Sequence, residues 1–221
     1  MVVMAENVTV LRRELTRADM ERMRIPLRYW NVTFDLIPAD VGRTDEMSVQ
    51  QKTRSYIEQM DEMDRDGVGL LLWGSNGRGK TSMAVVIAKE YRRRGNSVLF
   101  VEAAALRQYV INNVYFDGDE GESYWDRAMS VDVLVIDDFG KGVIDKTGFG
   151  MRMFDEMIRH RNGEKLVTFI TTNVCPRDDE WVQLTLESTR HSLKESVIPI
   201  EIIGDDQRDA VASKMQERLE S

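Results

Sequence analysis

The sequence predicts an α/β fold in which a central parallel sheet of five strands is covered by helices on both faces. Three observations predict it. Short apolar runs alternate along the chain with stretches whose apolar residues recur at helical spacing. The apolar runs lack polar alternation, the pattern of strands buried on both faces. One run leads directly into a glycine-rich loop that opens a helix, the unit from which parallel sheets are assembled.

The elements follow in order. Residues 1–24 contain no Pro or Gly and carry five Arg against four acidic residues, with Leu11, Leu15 and Met20 or Met23 as a weak helical stripe ended by Pro26. Residues 45–66 read as one helix with Tyr56, Ile57, Met60 and Met63 on a face and Gly67 as its stop. Gly69–Trp73 is a strand, and Met83, Val86, Ile87 and Tyr91 define a helix from Thr81 to Arg94, closed by Gly95-Asn96. Val98–Val101 is a strand, Ala103 to about Asn113 a helix, 115–122 an acidic loop, and Tyr124–Met129 a short helix. Val131–Ile136 is the clearest buried strand. Phe149, Met153, Phe154, Met157 and Ile158 mark a helix ending at Asn162-Gly163. Val167–Thr171 is the next strand. Val197–Ile203 is the last, placed at a sheet edge because Pro199 cannot donate to a ladder. Val211, Met215 and Leu219 suggest a terminal helix.

Composition bounds the function. A chain of 221 residues with 42% hydrophobic residues suits one domain with a full core. A net charge of −8 argues against a surface uniformly built to coat duplex DNA, though not against a local basic stripe. The single cysteine, Cys175, excludes an internal disulfide and reads as a buried thiol in a reducing cytosol. His160 and His191 are too far apart in sequence to form a metal cluster with it. No apolar run reaches the length of a membrane span, and Met1–Ala5 lacks the basic and apolar regions of a signal peptide, so a soluble cytoplasmic protein is expected. Arg92-Arg93-Arg94 reads as a complement to the dipole at its helix C-terminus, with a basic patch as the alternative.

Gly74-Ser75-Asn76-Gly77-Arg78-Gly79-Lys80-Thr81 matches the phosphate-loop pattern, and Ser82 follows in the first helical turn. The glycines let the backbone curl with its N–H groups inward, toward phosphate oxygens that the helix N-terminus also favours. Lys80 reaches the β- and γ-phosphates of ATP, and the Thr81 hydroxyl ligates Mg2+. The run Val131–Ile136 ends in Asp137-Asp138, at the sheet edge where open α/β folds bind ligands. Asp137 is the candidate for the Mg2+ shell. Asp138 is the candidate for orienting or deprotonating the attacking water. Val167–Thr172 ends at Asn173, which either contacts that water or the γ-phosphate or serves the turn before Pro176.

With these segments the chain resembles the DnaC- and IstB-like AAA+ ATPases over roughly residues 25–208. The resemblance rests on Ile25-Pro26-Leu-Arg28-Tyr29, on Leu71–Gly74 with the phosphate loop, on Asp132–Gly140, and on Ile170-Thr-Thr-Asn173. It implies a three-layer P-loop NTPase of the AAA+ type, with a short helical arm over 1–25 for a partner contact and the ATPase domain over 26–221. It also implies Asn173 as sensor I, Arg190 within Ser188–Leu193 as an arginine finger acting on a neighbouring copy, and Arg208 as a second sensor arginine. The finger ties hydrolysis to self-association through the ATP site.

The helicase-loader branch is the expected function. Its partner would be a replicative hexameric helicase, in DNA replication, and ATP hydrolysis would be slow and partner-coupled. Single-stranded DNA would lie near Ala103–Met129, where Arg107, Tyr109 and Tyr115 supply charge and stacking or else ordinary packing. The alternative is a transposition helper that assembles on duplex DNA with a transposase. A small-molecule kinase fits less well, since no arginine-bearing lid is found. A module whose nucleotide is only structural is the remaining reading.

Overall fold

Four strands are buried along their length except at the final residue of two of them: β1 (Gly69–Trp73), β2 (Val98–Glu102), β3 (Val133–Asp137) and β4 (Val167–Thr172). Such strands need helices on both faces, and the computed structural model, which describes residues 13–36, 48–115, 123–140, 143 and 145–203, supplies them. With β5 (Val197–Glu201) the strands form one sheet of order β2-β3-β4-β1-β5, every pair parallel. The expected five-stranded parallel sheet is therefore present, with β5 and its Pro199 at an edge.

One face packs against α2 (Val49–Glu58), α3 (Met60–Asp66) and α4 (Lys80–Arg93). Its core joins Leu70, Leu72, Phe100, Val135 and Phe169 to Met83, Ile87 and Tyr91 of α4. Tyr56 donates to the Val68 carbonyl at 2.6 Å and lies 3.1 Å from the Tyr91 hydroxyl, so the polar ends of both buried rings are satisfied. The helix expected over 45–66 is two helices, because the backbone leaves helical geometry at Gln59 (φ −100, ψ 10).

The arm enters the same core. Thr16 and Asp19 form a reciprocal cap on α1 (Arg17–Arg22), and Met20, Met23 and Ile25 are buried against the sheet face. Phe100 N donates to Met23 O at 2.8 Å, beside the edge strand β2. Asp19 also accepts from Arg92 and Arg13, which docks α1 on the C-terminal end of α4. Arg93 and Arg94 pair with Glu90, and Arg94 also with Asp61. The arginine run is thus tied down by carboxylates at a helix C-terminus, the reading preferred from the sequence.

The other face carries α5 (Ala103–Tyr115), α6 (Tyr124–Ser130), α7 (Phe149–Gly163), α8 (Asp179–Leu184) and α9 (Glu187–Ser196). The sequence did not signal α8 and α9 as elements. Their buried residues, Trp181 and Leu184 in one and Leu193 in the other, are too sparse to show a period. Arg161 of α7 is fully buried and donates to Thr168 Oγ1 and to the carbonyls of Ala128, Val131 and Val167 at 2.8–2.9 Å. Burial lowers its pKa to about 9, and those acceptors replace the water it loses. The guanidinium ties α7 to α6, to the residue that caps it before β3, and to β4.

Two further expectations shift. β3 begins at Val133, because Asp132 instead accepts from Ser97 N and Oγ, and Cys175 is half-buried rather than buried. Leu11 of the arm, the loop at 116–122, the helix at 211–219 and Arg208 lie outside the described residues.

Candidate functional site

β1, β3 and β4 are neighbours, so their C-terminal ends present the phosphate loop, Asp137-Asp138 and Asn173 side by side. This is the edge where parallel sheets place ligands. The loop curls after Trp73, with Gly74, Gly77 and Gly79 at φ 134, 74 and 85. A side chain at Gly74 would overlap the Ile202 carbonyl oxygen, and Ile202 N donates to Trp73 O at 2.7 Å. The exit of β5 therefore clamps the start of the loop. At Gly79, the N-cap of α4, a Cβ would meet nothing within 4 Å, so the loop's concavity opens there at a helix N-terminus.

Lys80 is buried and its Nζ donates to Gly74 O at 2.7 Å, Ser75 O at 2.8 Å and Asn173 Oδ1 at 2.8 Å. Asn173 Nδ2 in turn donates to Asp138 Oδ1 at 3.3 Å. Asp138 is exposed and has φ 53, a left-handed conformation uncommon outside glycine, which turns its carboxylate away from the strand. Its N–H is held by Thr171 Oγ1 at 3.0 Å, and Phe139 N by Thr171 O at 2.8 Å. The turn that aims Asp138 is thus built by the neighbouring strand.

Asp137 is buried and its Oδ1 accepts from Thr171 Oγ1 at 2.6 Å and Thr81 Oγ1 at 2.8 Å. Burial raises its pKa, the two hydroxyls oppose that rise, and the charges of Asp138 and Glu102 add to it. Thr81 and Asp137 together offer a hydroxyl and a carboxylate at one point. That donor set suits Mg2+, which takes few protein oxygens and completes its shell with phosphate and water. The curled loop, the lysine and this oxygen pair fit a Mg-nucleotide. Among the described residues no group of three or more His, Cys, Asp or Glu side chains forms a metal cluster.

Ser75 and Asn76 are exposed at the turn, Arg78 is half-buried, and Ser82 lies half-buried in the first turn of α4. Arg190 is not part of this cluster. Its Nη1 donates to Thr185 O at 2.5 Å, Thr185 Oγ1 at 3.3 Å and Val182 O at 3.4 Å, covering the C-terminal end of α8. The neighbouring Ser188 and Thr189 hydroxyls donate to Asp155 Oδ1 of α7 at 2.6 and 2.8 Å. Arg107 pairs with Asp145 at 3.3 Å, and the Tyr109 hydroxyl accepts from Tyr124 N at 3.0 Å, so both have packing partners.

Two residues escaped the sequence reading. Thr171 organises both carboxylates, although only Asn173 was singled out from Thr-Thr-Asn. Glu102 ends β2 in register with Asp137 and is exposed at the same edge. The signal for Glu102 was available: an apolar run ending in a carboxylate, as in β3.

Comparisons with known proteins agree with this geometry. The family described as IstB-like ATP binding protein matches residues 4–189. No curated protein sequence matches significantly. Among solved structures, the DnaC helicase loader is 20% identical, with 80% of this chain and 100% of that chain covered and a TM-score of 0.64. DnaI is 22% identical, with 82% and 93% covered and a TM-score of 0.60. Replication initiator DnaA bound to AMPPCP and single-stranded DNA is 16% identical, with 85% and 55% covered and a TM-score of 0.61, so this chain spans about half of that one.

Proposed function

This chain belongs to the family of IstB-like ATP binding proteins, and from that premise we propose that it is a Mg-dependent AAA+ ATPase that loads a replicative hexameric helicase. The observation that carries the ATPase reading is the hydrogen-bonded row Lys80–Asn173–Asp138, which links phosphate loop, sensor position and candidate base.

The residues divide the work. The N–H groups of Gly74–Thr81 and the α4 N-terminus hold the phosphates, and Lys80 exchanges loop carbonyls for phosphate oxygens. Thr81 and Asp137 would hold Mg2+, which would supply charge neutralisation at the phosphates. Asn173 holds Asp138 by a direct hydrogen bond, and the two together orient the attacking water. The Asp138 carboxylate takes that water's proton as its oxygen bonds to the γ-phosphorus and the bridging bond to the β-phosphate breaks. Arg190, contributed by a neighbouring copy, and Arg208 complete the charge around the γ-phosphate.

The loader reading is supported by the acidic balance of −8, which suits a protein partner better than a continuous duplex coat. It is supported too by the likeness to the DnaC helicase loader along that protein's full solved length. The second reading, a helper that assembles on duplex DNA with a transposase, is favoured by the IstB-like match itself. A cytoplasmic location follows from either role, and no helix among the described residues is long and apolar enough to cross a membrane.

Native mass spectrometry with the cognate replicative helicase, in ATP and in ADP, separates the readings. The loader reading expects an ATP-favoured complex of defined stoichiometry. No complex in either state, with ATP-dependent assembly on duplex DNA, would replace it with the transposition helper.

A further inference from the structure

One buried hydroxyl stands between the two aspartates of the site. Thr171, near the end of β4, has its Oγ1 2.6 Å from Asp137 Oδ1 and 3.0 Å from the Asp138 nitrogen. Together the two contacts fix the direction of both bonds. A backbone N–H can only donate, so Asp138 N–H donates to Oγ1, and the one hydroxyl proton goes to the Asp137 carboxylate. Thr171 is acceptor to one aspartate and donor to the other.

Each bond holds a different group. On one side, Thr171 from β4 and Thr81 from α4 both donate to Asp137 Oδ1, at 2.6 and 2.8 Å. Two hydroxyls converging on one oxygen orient the carboxylate and leave Oδ2, which neither contacts, to a metal shell. On the other side, Asp138 has φ 53, a conformation that a non-glycine residue keeps only where its surroundings impose it. Thr171 imposes it twice, through Oγ1 on the Asp138 N–H and through its carbonyl, which accepts from Phe139 N at 2.8 Å.

We propose that Thr171 is a positioning residue whose hydroxyl couples the Mg2+ site to the water-activating carboxylate, a role that stands on the ATPase reading above. The hydroxyl carries this role, and the packing of the side chain does not. Valine fills nearly the same space but neither donates nor accepts. With valine the Asp138 N–H loses its buried acceptor, and Asp137 keeps only Thr81. Thr168 is the natural comparison. It is a buried threonine earlier on the same strand, and its hydroxyl accepts from Arg161 Nε at 2.9 Å and touches neither aspartate.

The test uses the full chain as wild type, Thr171→Val, Thr171→Ala, Thr171→Ser, Thr168→Val and Asp138→Asn. Fluorescent-ATP affinity is titrated in EDTA and across a Mg2+ series, single-turnover hydrolysis is followed, and circular dichroism checks folding. Thr171→Val and Thr171→Ala are expected to bind ATP in EDTA as wild type does. They are expected to need about ten-fold more Mg2+ for half of the metal-dependent gain in affinity, and to turn over about ten-fold or more slowly. Thr171→Ser keeps the hydroxyl and recovers most of both. Thr168→Val melts earlier but keeps the wild-type Mg2+ dependence and turnover. Wild-type Mg2+ dependence and turnover in the hydroxyl-free variants overturn the proposal, as does a serine variant as impaired as valine, or an equal loss in Thr168→Val. The two readings fail separately. A wild type that does not hydrolyse ATP overturns the ATPase reading, and the role of Thr171 with it. A wild type that does, with Asp138→Asn impaired and Thr171→Val unimpaired, overturns the role of Thr171 alone.

Discussion

Lys80 and Asn173, 93 positions apart in sequence, are joined by a hydrogen bond of 2.8 Å from Nζ to Oδ1. The bond crosses from the loop after β1 to the turn after β4, strands that are neighbours in the sheet although α4, β2, α5, α6, β3 and α7 separate them in the chain. Asn173 also donates to Asp138, so one amide touches both the phosphate-binding cation and the candidate base.

Removing that amide separates binding from chemistry. In Asn173→Ala, Lys80 keeps Gly74 O and Ser75 O, and nucleotide affinity changes little. Turnover falls roughly 10²-fold, the scale for losing one group that organises a reacting water. Phosphate release and fluorescent-ATP titration measure the two quantities separately.

The docking of α1 is pH-dependent. Burial pushes the Asp19 carboxyl up, but hydrogen bonds from Thr16 N, Thr16 Oγ1, Arg13 and Arg92 outweigh it and hold the group well below the usual carboxylate range. A folded pKa below the unfolded one means stability that is present above the unfolded value of 3.8 and lost as pH falls from there toward the folded value. Asp19→Asn therefore costs about 2 kcal/mol at neutral pH. The gap from wild type closes as denaturant melts are repeated below the unfolded value.

Arg161 is a stability residue. Truncation to Ala leaves the carbonyls of Ala128, Val131 and Val167 buried without their donor and opens a cavity beside β4. The cost is roughly 3–5 kcal/mol, read as a lower denaturation midpoint.

Arg190 separates its two roles by mixing. If it serves a neighbouring copy, Arg190→Ala alone and Asp138→Asn alone hydrolyse poorly, and their mixture regains turnover at the interface where one supplies the base and the other the finger. If it only covers the end of α8, Arg190→Ala melts earlier but hydrolyses as wild type.

The strands and the loop were legible because burial on both faces leaves a mark in sequence, and the glycines of the phosphate loop mark theirs. The contact of Thr171 with Asp137 was not legible. It depends on the register that pairs Ile136 with Ile170 and so sets the next residues opposite each other. Arg161 was hidden for the opposite reason, since a lone arginine in a helix reads as surface charge until its carbonyl acceptors are seen. The arm's short stripe offered Met20 or Met23, and both turn inward, but nothing in it announced Asp19 as the anchor.

The central claim, that the row from Lys80 to Asp138 hydrolyses ATP, is tested most directly by titration with fluorescent ATP and single-turnover hydrolysis for wild type and Asp138→Asn. The account predicts the same affinity in both proteins and a fall in turnover of about 10²-fold or more for the variant. Equal turnover in the two proteins would contradict it and leave the nucleotide as a structural ligand.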